Sequence, residues 1–278
     1  MGGITDARTG GAVSAATPDV AAVWAADVRP GWLRRHNPLA TLAAPLPAML
    51  ALVVVHDTRA AVVLTAVAVL ALVTGAGLGR RGLLALLVAA PLGTVALGAA
   101  LGLWVAVPDD DAGRVLLQVG PVEYTSAGLA AGLATAARLA AVAVLALVGG
   151  LTSSGPDLAR ALQQQLRVPY RVTWTILAAF RFVPRLGHEV AVIRAAHRVR
   201  GGDEGPGPVA TVRRWVGWSV PLLAGGLRHA ERTAYAMDAR GFGAHPTRTE
   251  RHRVPWRTRD TALVVAGWTL TAAVLLVP

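Results

Sequence analysis

The sequence predicts an all-α integral membrane protein, with about five transmembrane helices and a cytoplasmic region of amphipathic helices inserted before the last. Three observations predict it. Of 278 residues, 54% are hydrophobic, and the mean hydropathy of +0.50 is too high for a soluble chain of this size. Five apolar stretches approach the roughly 20 residues that a bilayer core demands. The polar region between the fourth and fifth stretches keeps helical spacing of its apolar residues.

Composition also removes several function classes. All 27 basic residues are arginine, and there is no cysteine. A phosphate-binding P-loop needs lysine, so a conventional P-loop ATPase is excluded, as are disulfides and thiolate metal sites. The net charge of +11 does not indicate nucleic acid, because the arginines lie between apolar spans and on apolar helix faces, as membrane topology requires.

Residues 1–28 mix Gly, Ala, Ser, Thr and Asp without a sustained apolar run, and are expected to form a flexible tail. The membrane part, 29–151, holds predicted spans at about 39–55, 60–77, 83–107 and 125–151; the last span, at about 261–277, lies in 260–278. Pro45 and Pro47 interrupt the first span. Arginine is retained on the cytoplasmic side, which places Arg29, Arg34, Arg35, Arg80 and Arg81 there. Asp109, Asp110, Asp111 and Glu123, against a lone Arg114, mark an outer loop. The N-terminus is therefore expected in the cytoplasm and the C-terminus outside.

The cytoplasmic region, 152–259, contains 18 of the 27 arginines. A short helix is predicted from about 157 to 166, started by Pro156 and Asp157 and broken at Pro169. A second runs from about 170 to 200, with Pro184 as a kink site. Gly201 to Pro208 reads as a linker. The third helix carries the most regular pattern: Val209, Val212, Val216, Val220, Leu223, Leu227, Ala230, Ala234 and Met237 recur at steps of three and four, defining one apolar face.

Two helices in this region end in Arg-Gly, at Arg200-Gly201 and Arg240-Gly241. One such end is ordinarily a cap, because glycine adopts the left-handed conformation and a cation suits the helix dipole. Two on adjacent amphipathic helices favour a paired interaction site, since guanidinium is a bidentate donor to acidic or carbonyl-lined grooves. Arg138 lies deep in the fourth span and must face protein or water; it serves either transport or the pinning of helices. Gly75/Gly79, Gly98/Gly102 and Gly128/Gly132 have the spacing of close helix contacts. His188, His245 and His252 form no metal-ligand pattern, and Asp109 to Asp111 read as a solvated run.

From about residue 33 to 277 the chain resembles the transmembrane T component, EcfT type, of energy-coupling factor importers, the vitamin and metal-ion branch of ABC transporters. The resemblance rests on Arg35-His36-Asn37-Pro38-Leu39, Leu151-Thr152-Ser153-Ser154, Ala179-Phe180-Arg181-Phe182-Val183-Pro184 with Glu189, and above all the two Arg-Gly ends, including Ala236-Met237-Asp238-Ala239-Arg240-Gly241-Phe242. It implies a non-catalytic subunit whose coupling helices dock on two cytoplasmic ABC ATPases and support a separate membrane substrate-binding subunit. Arg200, Gly201, Ala239, Arg240 and Gly241 would then dock the ATPases, which bind the ATP, so the chain itself needs no cofactor. Val216, Val220, Leu223, Leu227, Ala230, Ala234 and Met237 would face the binding subunit. Val199 stands where the pattern has alanine, which changes bulk beside Arg200 but not its charge.

Two other functions compete. A conventional ABC permease would use one coupling loop per subunit, and two tips argue against it. A membrane enzyme acting on an anionic lipid would need an acidic metal cluster or a nucleophile, which the sequence lacks.

Overall fold

A computed structural model describes residues 31–55, 57–104, 114–119, 122–201 and 207–276. The expected tail, the acidic run Asp109 to Asp111 and linker residues 202–206 lie outside them. The architecture is helical. A 3-10 turn at Leu33–Arg35 precedes α1 (Pro38–Ala43), α2 (Leu46–Val54), α3 (Thr58–Gly75) and α4 (Arg80–Gly102). A β-hairpin then leads into α5 (Ser126–Thr152), α6 (Gly155–Leu166), α7 (Tyr170–Val199), α8 (Pro208–Ala239) and α9 (Thr258–Leu276).

Four of these helices, α3, α4, α5 and α9, are long and apolar enough to cross a membrane. The first of the five predicted spans is instead divided into α1 and α2. Pro45 has no N–H to return to the preceding turn and its ring crowds that turn's carbonyls, while Pro47 is well placed in a new first turn. The hairpin, β1 (Val115–Val119) antiparallel to β2 (Val122–Thr125), was not expected. Its signal was Gly120-Pro121, a turn dipeptide between two short apolar runs.

The described residues divide into two compact units, one of 31–176 with 249–276, the other of Leu177–Arg248. The first holds the membrane helices. Side-chain caps start several of them: Asn37 Oδ1 accepts from Leu39 N at 3.0 Å, Asp57 Oδ1 from Arg59 N at 2.9 Å, and Thr125 Oγ1 from Gly128 N at 3.1 Å. The C-terminal half of α5 buries Ala141, Val144, Leu145 and Val148 in one core with Ala61, Leu64, Ala68 and Leu72 of α3. Small residues let these backbones approach, which is how helices associate where lipid offers no hydrophobic contrast. The N-terminal half of α5 meets α4 through Gly98, Gly102, Gly128 and Gly132. A methyl added to Gly132 would lie 2.8 Å from Gly102 Cα, and one on Gly102 2.9 Å from the Gly128 carbonyl oxygen. Two of the three predicted glycine pairs therefore form one contact.

Polar residues tie the ends of these helices. Asp260, buried at the start of α9, accepts from Asn37 N at 3.0 Å and from Arg257 N at 2.8 Å. Asn37 Nδ2 lies 3.4 Å from the carbonyls of both Val254 and Pro255. On α6, Gln164 both donates to His252 O at 2.9 Å and accepts from Val254 N at 2.8 Å, pairing with that segment as a strand would. Gln163 donates to Glu250 Oε1 and Gln165 to Val254 O. The residues between α8 and α9 are thereby strapped to α6.

Candidate functional site: two arginine-tipped helices

Within the second unit α7 and α8 run antiparallel. Phe182 stacks on His229 at 5.0 Å, Glu189 lies against Gly225, and the Arg194 guanidinium sits 4.6 Å above the Trp218 ring. As one helix number rises the other falls. At the crossing, α8 presents Gly225 and Gly226, where added methyls would meet the Glu189 carboxylate at 3.1 Å and Phe182 at 3.6 Å. This crossing was not foreseen. Its signal was a Gly-Gly pair inside a helix, where each glycine costs about 1 kcal/mol relative to alanine and needs a packing reason.

Both Arg-Gly ends are helix terminations of the left-handed kind. Gly241 has φ +67° and Gly201 φ +74°, values that side chains with a Cβ rarely adopt. At the second end Gly241 N donates to Asp238 O at 2.9 Å and Phe242 N to Met237 O at 3.0 Å, the paired bonds of a Schellman motif. At the first, Gly201 N donates to Arg198 O at 3.2 Å. Backbone capping is thus satisfied by main-chain groups alone. The side chains of Arg200 and Arg240 are exposed and have no hydrogen-bond or ion-pair partner among the described residues. Capping explains the glycines but leaves the guanidinium groups unused.

Because the helices are antiparallel, their C-terminal ends point apart. Arg200 lies eleven residues beyond Glu189 and Arg240 fifteen beyond Gly225, so at 1.5 Å per residue the two tips are about 30–40 Å apart. At that separation the two guanidinium groups cannot meet in one site. Val199, beside the first arginine, is 89% exposed, so its extra bulk meets nothing inside this chain.

The predicted apolar stripe of α8 is not the face that packs on α7. Trp218, Gly225, Gly226 and His229 face α7, whereas Val216, Val220, Leu223 and Leu227 are 61%, 68%, 73% and 64% exposed. Ala230 and Ala234 are also exposed, and Met237 is half-buried at the stripe's end. No residue of α8 is buried. The stripe is thus an open apolar face that this chain does not cover.

Arg138 belongs to the membrane unit and takes no part in this arrangement. It is half-buried near the middle of α5, with Nη2 donating to Thr135 Oγ1 at 3.3 Å and Nε buried without a partner.

The profile of a family described as CbiQ, cobalt transport protein, matches residues 30–251. The energy-coupling factor transporter transmembrane protein EcfT of Staphylococcus aureus is 29% identical over 157 residues, covering 54% of this chain and 59% of that protein. Its counterpart in Limosilactobacillus fermentum is 33% identical with the same coverage, and that of Bacillus subtilis 27% identical over 58% of this chain and 63% of its own length. The matches span about 60% of the length of these relatives.

Proposed function

This chain belongs to the CbiQ family of membrane transport components, not of enzymes, and on that premise we propose that it is the coupling subunit of an energy-coupling factor importer. It passes movement from two cytoplasmic ATPases to a separate membrane subunit that binds a vitamin or metal ion. The observation that carries this reading is the pair of exposed arginines, without a partner among the described residues, at opposite ends of one helix pair. Arg200 and Arg240, seated by Gly201 and by Ala239 and Gly241, each enter a groove on one ATPase. ATP is bound by those partners, and this chain holds no cofactor. The exposed stripe from Val216 to Met237 carries the binding subunit, whose contact is apolar and free to slide. The N-terminus lies in the cytoplasm and the C-terminus outside.

When the ATPases close on ATP the two tips approach, and the stripe tilts with α8. A charge-assisted bond contributes about 1.5–3 kcal/mol, so each arginine is worth at least about tenfold in docking. The test is co-purification in detergent with the products of neighbouring genes. ATPases that accompany the native chain and vanish with Arg200→Glu plus Arg240→Glu support the reading. ATPases that remain on the double variant reduce both arginines to helix caps.

A further inference from the structure

Arg138 is a charge without a counter-charge. It lies twelve residues after Ser126 and fourteen before Thr152 in a helix of 27 residues, about 18 Å and 21 Å from the two ends. Such a helix is about 40 Å long and the hydrocarbon core about 30 Å thick, so Arg138 sits at least about 8 Å inside the core wherever the excess length falls. At that depth an arginine facing lipid is strongly disfavoured.

No acidic side chain among the described residues pairs with it. Asp57 is the one acidic residue in 31–104 and 126–152, and its carboxylate is engaged in capping α3 through Arg59 N. The acceptor that Arg138 has among the described residues, Thr135 Oγ1, is uncharged, and buried Nε has none there. A guanidinium carries five N–H donors, and a buried donor left unmade is costly. Arg138 is neither fully buried nor exposed, so part of its side chain is accessible to a neighbour in the membrane. A second copy of this chain cannot supply the missing charge, because its own spans contain no acid at that depth.

We propose that Arg138 is an intramembrane ion-pairing site for a carboxylate carried on a spanning helix of a different membrane subunit. The identity of that subunit, the substrate-binding partner, rests on the function proposed above. In the low dielectric of the core a bidentate guanidinium–carboxylate pair is both strong and exacting in position. It would fix where the partner contacts the spans, while the apolar stripe of α8 permits sliding.

The experiment is co-purification of the full assembly, produced from its gene neighbourhood and held in nanodiscs, with native chain, Arg138→Lys, Arg138→Gln and Arg138→Glu. The membrane partner is expected to fall at least tenfold with Gln and Glu and less with Lys, while the ATPases stay at native level. Arginine substitutions at acidic positions in the partner's apolar segments should restore it on the Arg138→Glu chain at one position. Native retention of the partner by the Gln and Glu variants overturns the inference, as does a loss that no charge exchange restores, which is what pairing with lipid phosphate would give. Should the Glu variant lose its ATPases through misfolding, the Lys and Gln pair decides, equal retention overturning the proposal. Capture of ATPases without any membrane partner by the native chain also overturns it. Failure to capture ATPases at all overturns the coupling function first and this inference with it.

Discussion

The two glycine-lined helix crossings in this protein are built to different tolerances. Where α4 meets α5, a methyl on Gly132 would strike the backbone of Gly98 and Gly102. Where α7 meets α8, a methyl on Gly225 would approach only the ends of flexible side chains, Glu189 at 3.1 Å and Arg228 at 3.8 Å. The first contact is backbone on backbone and fixes two spans. The second is spanned by side chains, leaves no residue of α8 buried, and allows the helices to shift. The membrane unit is packed to hold its shape, whereas the arginine-tipped pair leaves an apolar face and two guanidinium groups exposed.

The largest effect should come from the open face. Leu223→Glu with Leu227→Glu places charge where about 1.5–3 kcal/mol per leucine is gained on burial. Retention of the membrane partner should fall at least a hundredfold, with helix content by circular dichroism unchanged. Unfolding in this variant would mean that the stripe is an internal core and would end the contrast between the two units.

Next comes Gly132→Ala. The neighbouring atoms are backbone and cannot rotate aside, so α4 and α5 must separate, at a cost of about 1–3 kcal/mol or more. A lowered midpoint of thermal unfolding in detergent would show it. Asn37→Ala removes a helix cap together with the bonds to Val254 and Pro255, and should cost about 1–2 kcal/mol. Its clearest sign is faster hydrogen exchange at the start of α1 and around residue 254.

Gly225→Ala should do least, and in the opposite direction. Glu189 can yield a few tenths of an ångström, and alanine improves the helix by about 1 kcal/mol, so stability should rise slightly. A drop as large as that of Gly132→Ala would show that the two crossings are equally tight. Because the chain has no cysteine, pairs introduced at 182 and 229 can report by crosslinking whether the α7–α8 crossing moves with nucleotide.

Much of this was legible before any coordinates. Hydropathy alone located α3, α4, α5 and α9 to within a few residues, because apolar length is the condition for spanning. Periodicity located α7 and α8, and Arg-Gly marked both of their ends, since a left-handed cap needs glycine whatever surrounds it. The division of the first span at Pro45 was signalled, yet its outcome was not, because a proline can either bend a helix or end it.

Residue order was enough for local features: which segments are apolar enough for lipid, where helices stop, and that one face of α8 is greasy. Which surfaces were already in use came from packing. Steps of three and four show that a face is apolar, but not whether the same chain covers it. The stripe proved open because Gly225 and Gly226, on another side of α8, had taken the contact with α7. Likewise a lone arginine in a span states a cost, and only the packing around Arg138 shows that the chain leaves it unbalanced. Burial and pairing are relations between segments distant in sequence, and local pattern carries no record of them.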